Sequence, residues 1–236
     1  MSFYSDFAGH YESVFPLEED TYRFIAKRTP RVGRVLDIGC GTGDYCGLFA
    51  QNGRIAVGID LDREMIAVAD ERFPEAAFRV MDMGDVGTLE GPFDSIFCIG
   101  NVLSHIPASA LPGFLSYVAD LLPPGGAWVF QTVNWDHILG RDSFRFPDIA
   151  VPRTDVVFER EYPQVSHDGV SFVTRLRKGP ELLFEGSVEL YPLRAGEYAA
   201  AHDPTLFELK GHFANFTEAE FVAGSMSSSV FHFARR

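Results

Sequence analysis

Between residues 32 and 133, short apolar runs rich in β-branched residues alternate with longer segments whose apolar positions recur every three to four residues. The runs at 32–38, 54–59, 77–81, 93–99 and 127–133 predict strands, and the segments at 44–52, 62–73 and 111–122 predict helices. Punctuation agrees with the periods. Asn52-Gly53 can close the first helix, Asp62 can cap the second and Pro74 ends it, and Pro123-Pro124-Gly125-Gly126 is a turn. Strands alternating with helices need crossover connections, which build a mostly parallel sheet with both faces covered.

Beyond about residue 140 the pattern changes. Strand-like runs at 155–162, 170–177 and 182–190 have no helices between them. His167-Asp168-Gly169 is a hairpin signal, and Lys178-Gly179-Pro180 separates the last two runs. They predict an antiparallel β insert over 141–191. The tail offers a short helix near 194–201 and strands near 206–213 and 229–234, expected to complete the first sheet to seven strands. Before residue 31 the chain predicts a helical N-terminal segment over 1–30. Phe3, Phe7, Tyr11 and Phe15, four apart, share one helical face. They suit either core packing or a lid over a small ligand.

Composition narrows the setting. The 236 residues are 46% hydrophobic and 22% charged, with 20 basic against 33 acidic residues and a net charge of −13. A chain of this length buries enough surface to fold without disulfides or metal. Its acidity argues against nucleic acid and anionic membranes as partners. Three cysteines, Cys40, Cys46 and Cys98, form no disulfide framework and no zinc spacing, which predicts a reducing, cytoplasmic location. No 18-residue apolar run occurs, and MSFYSDFAGH lacks the basic and apolar regions of a signal peptide.

The chemistry concentrates in VLDIGCGTG at 35–43. Glycines at 39, 41 and 43 let the backbone turn sharply and let a ligand approach where a Cβ would intrude. The following helix presents free N–H groups. The spacing is Gly-x-Gly-x-Gly, whereas a dinucleotide site would show G-x-G-x-x-G, and Gly43 is followed by Asp44 rather than the Lys of a phosphate loop. Asp37 and Asp44 would repel a pyrophosphate and tolerate an amino group or a sulfonium, which selects a positively charged adenosyl ligand. Asp60, ending the second strand, can accept from both ribose hydroxyls. Asp82 can accept from an adenine amino group while Met83 covers the ring. Each acid alone reads as a solvated loop acid; together they line one crevice at the strand ends.

These residues resemble the class I S-adenosylmethionine-dependent methyltransferases over roughly residues 30–135, with a looser match in the last 45. A narrower likeness, carried by FDSIFCIGNVLSHIP at 93–107 and LLPPGGAWVFQTVNWDHIL at 121–139, is to the glycine N-methyltransferase-like small-molecule group. The resemblance implies an α/β fold, doubly wound, with a mostly parallel seven-stranded sheet of Rossmann-like methyltransferase type. Its S-adenosylmethionine-binding domain would comprise 31–140 plus 192–236. S-adenosylmethionine is the implied cofactor and S-adenosylhomocysteine the product. The implied cofactor contacts are Asp37, Gly39, Cys40, Gly41 and Gly43 in the first loop, then Asp60, Leu61 and Met65, then Asp82 and Met83. Ile99, Gly100, Asn101 and His105 would line the methionine arm and sulfonium, and Tyr11 would close from the N-terminus. Asn134, Trp135 and His137 would face substrate. Arg23 corresponds only by position to a carboxylate-binding arginine of the group.

Methyl transfer from a sulfonium needs mainly alignment and exclusion of water, and positioning supplies about 7–11 kcal/mol. No protein nucleophile is required. A base is needed only where the accepting atom arrives protonated, and His105 is the candidate, with a structural role equally open. The fourth strand end holds Gly100-Asn101 where a metal site would want a carboxylate, so no metal is expected. It also lacks the Pro-Pro-aromatic run of base-flipping enzymes, which leaves a small molecule, an amine favoured, as the acceptor. Two alternatives stand beside this reading: a dinucleotide-dependent oxidoreductase, and a non-catalytic adenosyl-binding or scaffold protein. A homodimer through the β insert is left open.

Overall fold

The computed structural model describes residues 11–236, and of Tyr11 and Glu12 the backbone alone. Phe3, Phe7 and the Tyr11 side chain therefore lie outside the described residues. The chain opens with α1 (Tyr11–Val14) and α2 (Glu19–Ala26) and then alternates: β1 (Arg34–Ile38), α3 (Asp44–Gln51), β2 (Ile55–Asp60), α4 (Arg63–Arg72), β3 (Ala77–Val80), β4 (Ser95–Cys98), α5 (Leu111–Leu121) and β5 (Ala127–Val133). After α6 (Trp135–Ile138) come the short strands β6 (Phe144–Arg145) and β7 (Ile149–Ala150). The long strands β8 (Val156–Tyr162), β9 (Val170–Lys178) and β10 (Glu181–Leu190) follow, then α7 (Ala195–Ala201), β11 (Phe207–Phe213) and β12 (Ser228–Arg235).

Seven strands form one sheet in the order β11-β12-β5-β4-β1-β2-β3. The first five by chain order run parallel, β12 is antiparallel to both β5 and β11, and so β11 runs with the others. The fold class read from the sequence is the one observed, the predicted strands falling within one or two residues of those found. The chain winds outward from β1 to β3 and returns to β4 on the other side of β1. That reversal opens a crevice at the carboxyl ends of β1 and β4, where open α/β sheets bind ligands. Asp62 caps α4 by accepting from the Glu64 and Met65 amides at 2.8 and 3.2 Å, as its type and place predict.

The parallel strands are apolar on both sides, and each side buries a cluster. On one, Val35, Ala56, Phe97 and Val129 pack with Phe24 and Ile25 of α2 and Phe49 of α3. On the other, Leu36, Ile96, Trp128 and Phe130 pack with Phe114 and Val118 of α5 and Tyr198 of α7. His202 is buried at 4% exposure inside that second cluster. Its Nε2 accepts from the Trp128 indole at 3.0 Å, and because indole only donates, the ring proton sits on Nδ1, donating to the Tyr198 carbonyl at 2.7 Å.

Strands β6 and β8–β10 form a separate antiparallel sheet, with β7 paired to β8. One end of it enters the main core through Tyr162, Val170 and Leu190. The other end makes a small cluster with Val14 of α1, through Val156, Phe158 and Leu176. Its inner face thus roofs the crevice.

Candidate active site

Sharp backbone turns build the floor of the crevice. After β1, Gly39, Gly41 and Gly43 take positive φ of 79°, 54° and 81°, a region L side chains rarely adopt. The Gly39 and Cys40 amides both donate to the Ile59 carbonyl, at 2.8 and 3.0 Å, bending the loop over the end of β2. The Gly41 amide donates to Asp60 Oδ2 at 2.9 Å, and Asp60 Oδ1 accepts from the Asp62 amide at 2.9 Å. Both carboxylate oxygens are thereby oriented, and each keeps a lone pair for a ligand hydroxyl. Burial raises the Asp60 pKa, opposed by those amide hydrogen bonds.

Asp37 is the most unusual group on the floor. Its side chain is 1% exposed, it lines the cavity, and its Oδ1 has no hydrogen-bond partner among the described residues. Burial first, and Asp60 second, push its pKa well above the usual carboxylate range. A cation placed beside it would supply the missing donor and charge together; an anion there would deepen the penalty. Asp44 carries less of this argument than its sequence position suggests. It pairs with Arg72 at 2.9 Å, which cancels much of its repulsion toward a phosphate.

The loop after β4 forms the adjoining wall. Gly100 and Asn101 have φ of 72° and 65°. The Gly100 amide donates to Gln131 Oε1 at 2.7 Å, and Asn101 Oδ1 accepts from the Val133 amide at 3.1 Å, so β5 fixes the loop. Ser104 ties four elements together. Its hydroxyl donates to Asn101 Oδ1 at 2.9 Å, accepts from the Trp135 indole at 3.1 Å and lies 3.3 Å from the Tyr198 hydroxyl. Its carbonyl accepts from the Tyr191 amide at 2.7 Å. The next residue is His105, whose ring lines the cavity and whose pKa burial lowers from 6.5. A neutral imidazole at pH 7 can accept a proton.

Floor and roof enclose one cavity of about 1670 Å³. Pockets for one small ligand usually measure about 300–1,000 Å³, so this one has room for two. Of the residues expected at the site, Asp37, Gly39, Cys40, Gly41, Asp60, Leu61, Met65, Asp82, Met83, Ile99, Gly100, Asn101 and His105 line it, as do Asn134 and His137. Asp82 is exposed at the rim, its Oδ1 accepting from the Gly84 amide at 2.8 Å.

Three placements depart from expectation. Gly43 is not at the wall: it starts α3 in a left-handed conformation, with the Phe78 ring 2.7 Å from where a Cβ would sit. Trp135 is 1% exposed and stacks on Tyr162 at 5.3 Å, so its ring belongs to the core beneath the roof and does not face substrate. Arg23 sits on the outer surface, paired with Glu19, and is absent from the cavity wall. Asn134 is at the wall; its Nδ2 donates to the Val222 and Ser225 carbonyls, both at 3.0 Å, while its Oδ1 has no partner among the described residues. His137 accepts from Arg141 at 3.2 Å and donates to the Gly224 carbonyl at 2.8 Å. Burial pushes the Cys40, Cys46 and Cys98 thiols up, leaving no thiolate nucleophile among them.

Sequence reasoning missed wall residues contributed from afar: Gln131, Tyr45, Arg160, Thr174, and Asn215–Thr217 with Met226 from the loop between β11 and β12. Only Arg160 left a usable signal. In Val156-Val157-Phe158-Glu159-Arg160-Glu161-Tyr162 it stands in phase with the apolar positions.

A doubly wound sheet, a glycine turn tied to an acid on the next strand, and a buried carboxylate with an unpartnered oxygen meet at this crevice. The family described as "Methyltransferase domain" matches residues 35–126. A ubiquinone biosynthesis O-methyltransferase from Xylella fastidiosa is 36% identical over 117 residues, covering 47% of this chain and 46% of its own. Glycine N-methyltransferase from Homo sapiens is 30% identical over 125 residues, covering 45% and 42%. The chain thus spans about half the length of the curated relatives it matches. A crystal structure of an S-adenosylmethionine-dependent methyltransferase from Clostridium acetobutylicum shares the fold, with TM-score 0.79 at 18% identity over 98% of both chains. Residues 35–126 thus match a methyltransferase domain, within a fold shared with an S-adenosylmethionine-dependent methyltransferase.

Proposed function

We propose that the protein transfers a methyl group from S-adenosylmethionine to a small molecule by direct in-line displacement, with an amine as the accepting group. The observation that carries this reading is Asp37: a buried carboxylate oxygen without a donor, beside a glycine turn and the oriented Asp60, in a cavity with room for a second molecule. These residues fit the cofactor. Asp60 would hold its ribose, Asp82 and Met83 its adenine, and Asp37 its cationic end. Bound there, S-adenosylmethionine supplies a methyl already activated by positive sulfur. The chain's part is to orient and to exclude water. Ser104 and Asn101 fix the loop that carries His105, and neutral His105 accepts the proton of the incoming nucleophile where one must leave.

The alternatives fit less well. A diphosphate would lie against Asp37, and a scaffold role would leave a cavity of this size unexplained. No metal is needed for the transfer, and the cluster of His, Cys, Asp and Glu that would hold one is not found among the described residues. The net charge of −13 disfavours nucleic acid as substrate. The three thiols, none in a disulfide, suit a reducing cytoplasm. No described helix is long and apolar enough to cross a membrane.

A hydroxyl acceptor is the second reading, favoured by the name of the Xylella relative. A methyl-transfer screen over amines, amino acids, carboxylates and phenols, read by released S-adenosylhomocysteine, decides between them. Turnover confined to amines upholds the proposal. Turnover confined to phenols reverses the order, and no turnover with any acceptor returns the chain to a binding role.

A further inference from the structure

We propose that Arg160, with Thr174 beside it, anchors a carboxylate on the acceptor substrate, so that the molecule methylated is a compact aromatic or apolar acid. This rests on the methyltransferase reading and adds the substrate's chemical class to it.

The roof sheet separates its charges from its apolar groups by strand alternation. On the outer face three carboxylates have arginines: Glu161 and Glu185 pair with Arg175, and Glu159 pairs with Arg177 at 3.4 Å and Arg145 at 3.3 Å. Asp148, near Arg160, gives its Oδ1 to Arg145 at 3.0 Å. The inner face is lined with Phe158, Tyr162, Phe172 and Phe184, and Phe144 and Phe146 flank it. Arg160 is the cation among them. It lies in phase with Phe158 and Tyr162, directly across the ladder from Thr174, and both residues line the cavity.

Arg160 and Thr174 are incompletely satisfied. One Arg160 nitrogen donates to the Pro147 carbonyl at 3.2 Å, and the guanidinium sits 5.0 Å from the Phe146 ring centre. Its Nε is buried without a hydrogen-bond partner among the described residues. Thr174 is 2% exposed and its Oγ1 likewise has none. Buried polar groups left without partners are costly, and a guanidinium stays charged even where burial opposes it. One carboxylate would answer both: its oxygens can take two guanidinium N–H groups and the threonine hydroxyl together. The aromatic walls would then hold an apolar body, with the accepting atom directed down toward His105 and the floor.

The test uses protein saturated with S-adenosylhomocysteine and titrates benzoate, phenylacetate and 3-phenylpropionate, each against its neutral amide. At least one acid should bind about tenfold or more tightly than its amide. Arg160→Gln should erase that preference, Arg160→Lys should keep part of it, and Thr174→Val should weaken it less. All three should bind S-adenosylhomocysteine as the unaltered protein does and unfold at similar temperature. Equal binding of every acid and amide, or an Arg160→Gln protein that keeps the preference, overturns the proposal while leaving the methyltransferase reading intact. Failure of the unaltered protein to bind S-adenosylhomocysteine overturns the reading and the proposal together.

Discussion

The floor and the roof of the cavity solve opposite problems. The floor must present polar groups at sharp turns, and nearly all of them are held before any ligand arrives: Asp60 by the Gly41 and Asp62 amides, Gly100 by Gln131, Asn101 by Ser104 and Val133. Among the described residues Asp37 keeps a buried carboxylate oxygen in reserve, and Asn134 a neutral amide one. The roof is a mostly apolar wall, and there two of its polar groups, Arg160 and Thr174, are held loosely and left incompletely satisfied. A preorganised floor suits a ligand whose chemistry never changes, and a mostly apolar roof with one anchor suits the variable partner.

The largest effect should come where floor and roof meet. Trp135→Ala removes a fully buried ring that stacks on Tyr162 and donates to Ser104, and should cost about 3–5 kcal/mol by thermal or denaturant unfolding. Were Trp135 a substrate contact instead, KM would change with little loss of stability. Next is His202, a histidine of the sheet core held neutral with its pKa lowered to about 4. Unfolded, it takes up its proton near pH 6.5. Stability is therefore full above about pH 6.5 and declines as pH falls from there through about 4, by about 3 kcal/mol. His212 and His232, also lowered to about 4, act in the same direction. Denaturant midpoints measured across that range check it.

His105 tests the wall above the floor. His105→Gln should lower kcat by roughly a hundredfold for an acceptor that must lose a proton. In the unaltered protein kcat/KM should rise with pH through an apparent pKa below 6.5 and then level, and the variant should lack that rise. Asp60→Ala should weaken S-adenosylhomocysteine binding by about 1–3 kcal/mol in calorimetry, while changes at Arg160 leave it alone, which separates floor from roof. The smallest effect is Asp62→Ala, the loss of one helix cap, at about 1 kcal/mol of stability.

The floor was legible in the sequence because its constraints are local. Positive φ at three alternate positions demands glycine, and an acid ending the second strand must face the turn it orients. The strands of the insert were legible for the same reason, through their alternation. What escaped was decided by packing between distant segments. Asp44 looked like a free charge because Arg72, 28 residues on, is invisible to any local pattern. Trp135 followed Asn134 as a substrate pair would, yet the roof, reached only through Tyr162 27 residues later, claims its ring. Ser104 lies inside the stretch 93–107 but carries no signal of its own there, and still joins four elements. Arg160 was readable in its alternation, but its meaning depended on which face of the insert turns inward.

The account depends most on the sign of charge that the floor accepts. Thermal unfolding of the same preparation with S-adenosylmethionine, with S-adenosylhomocysteine and with NAD measures this directly. The account predicts a clear rise in Tm with both adenosyl ligands and none with NAD. A rise with NAD, without one for S-adenosylmethionine, would contradict it.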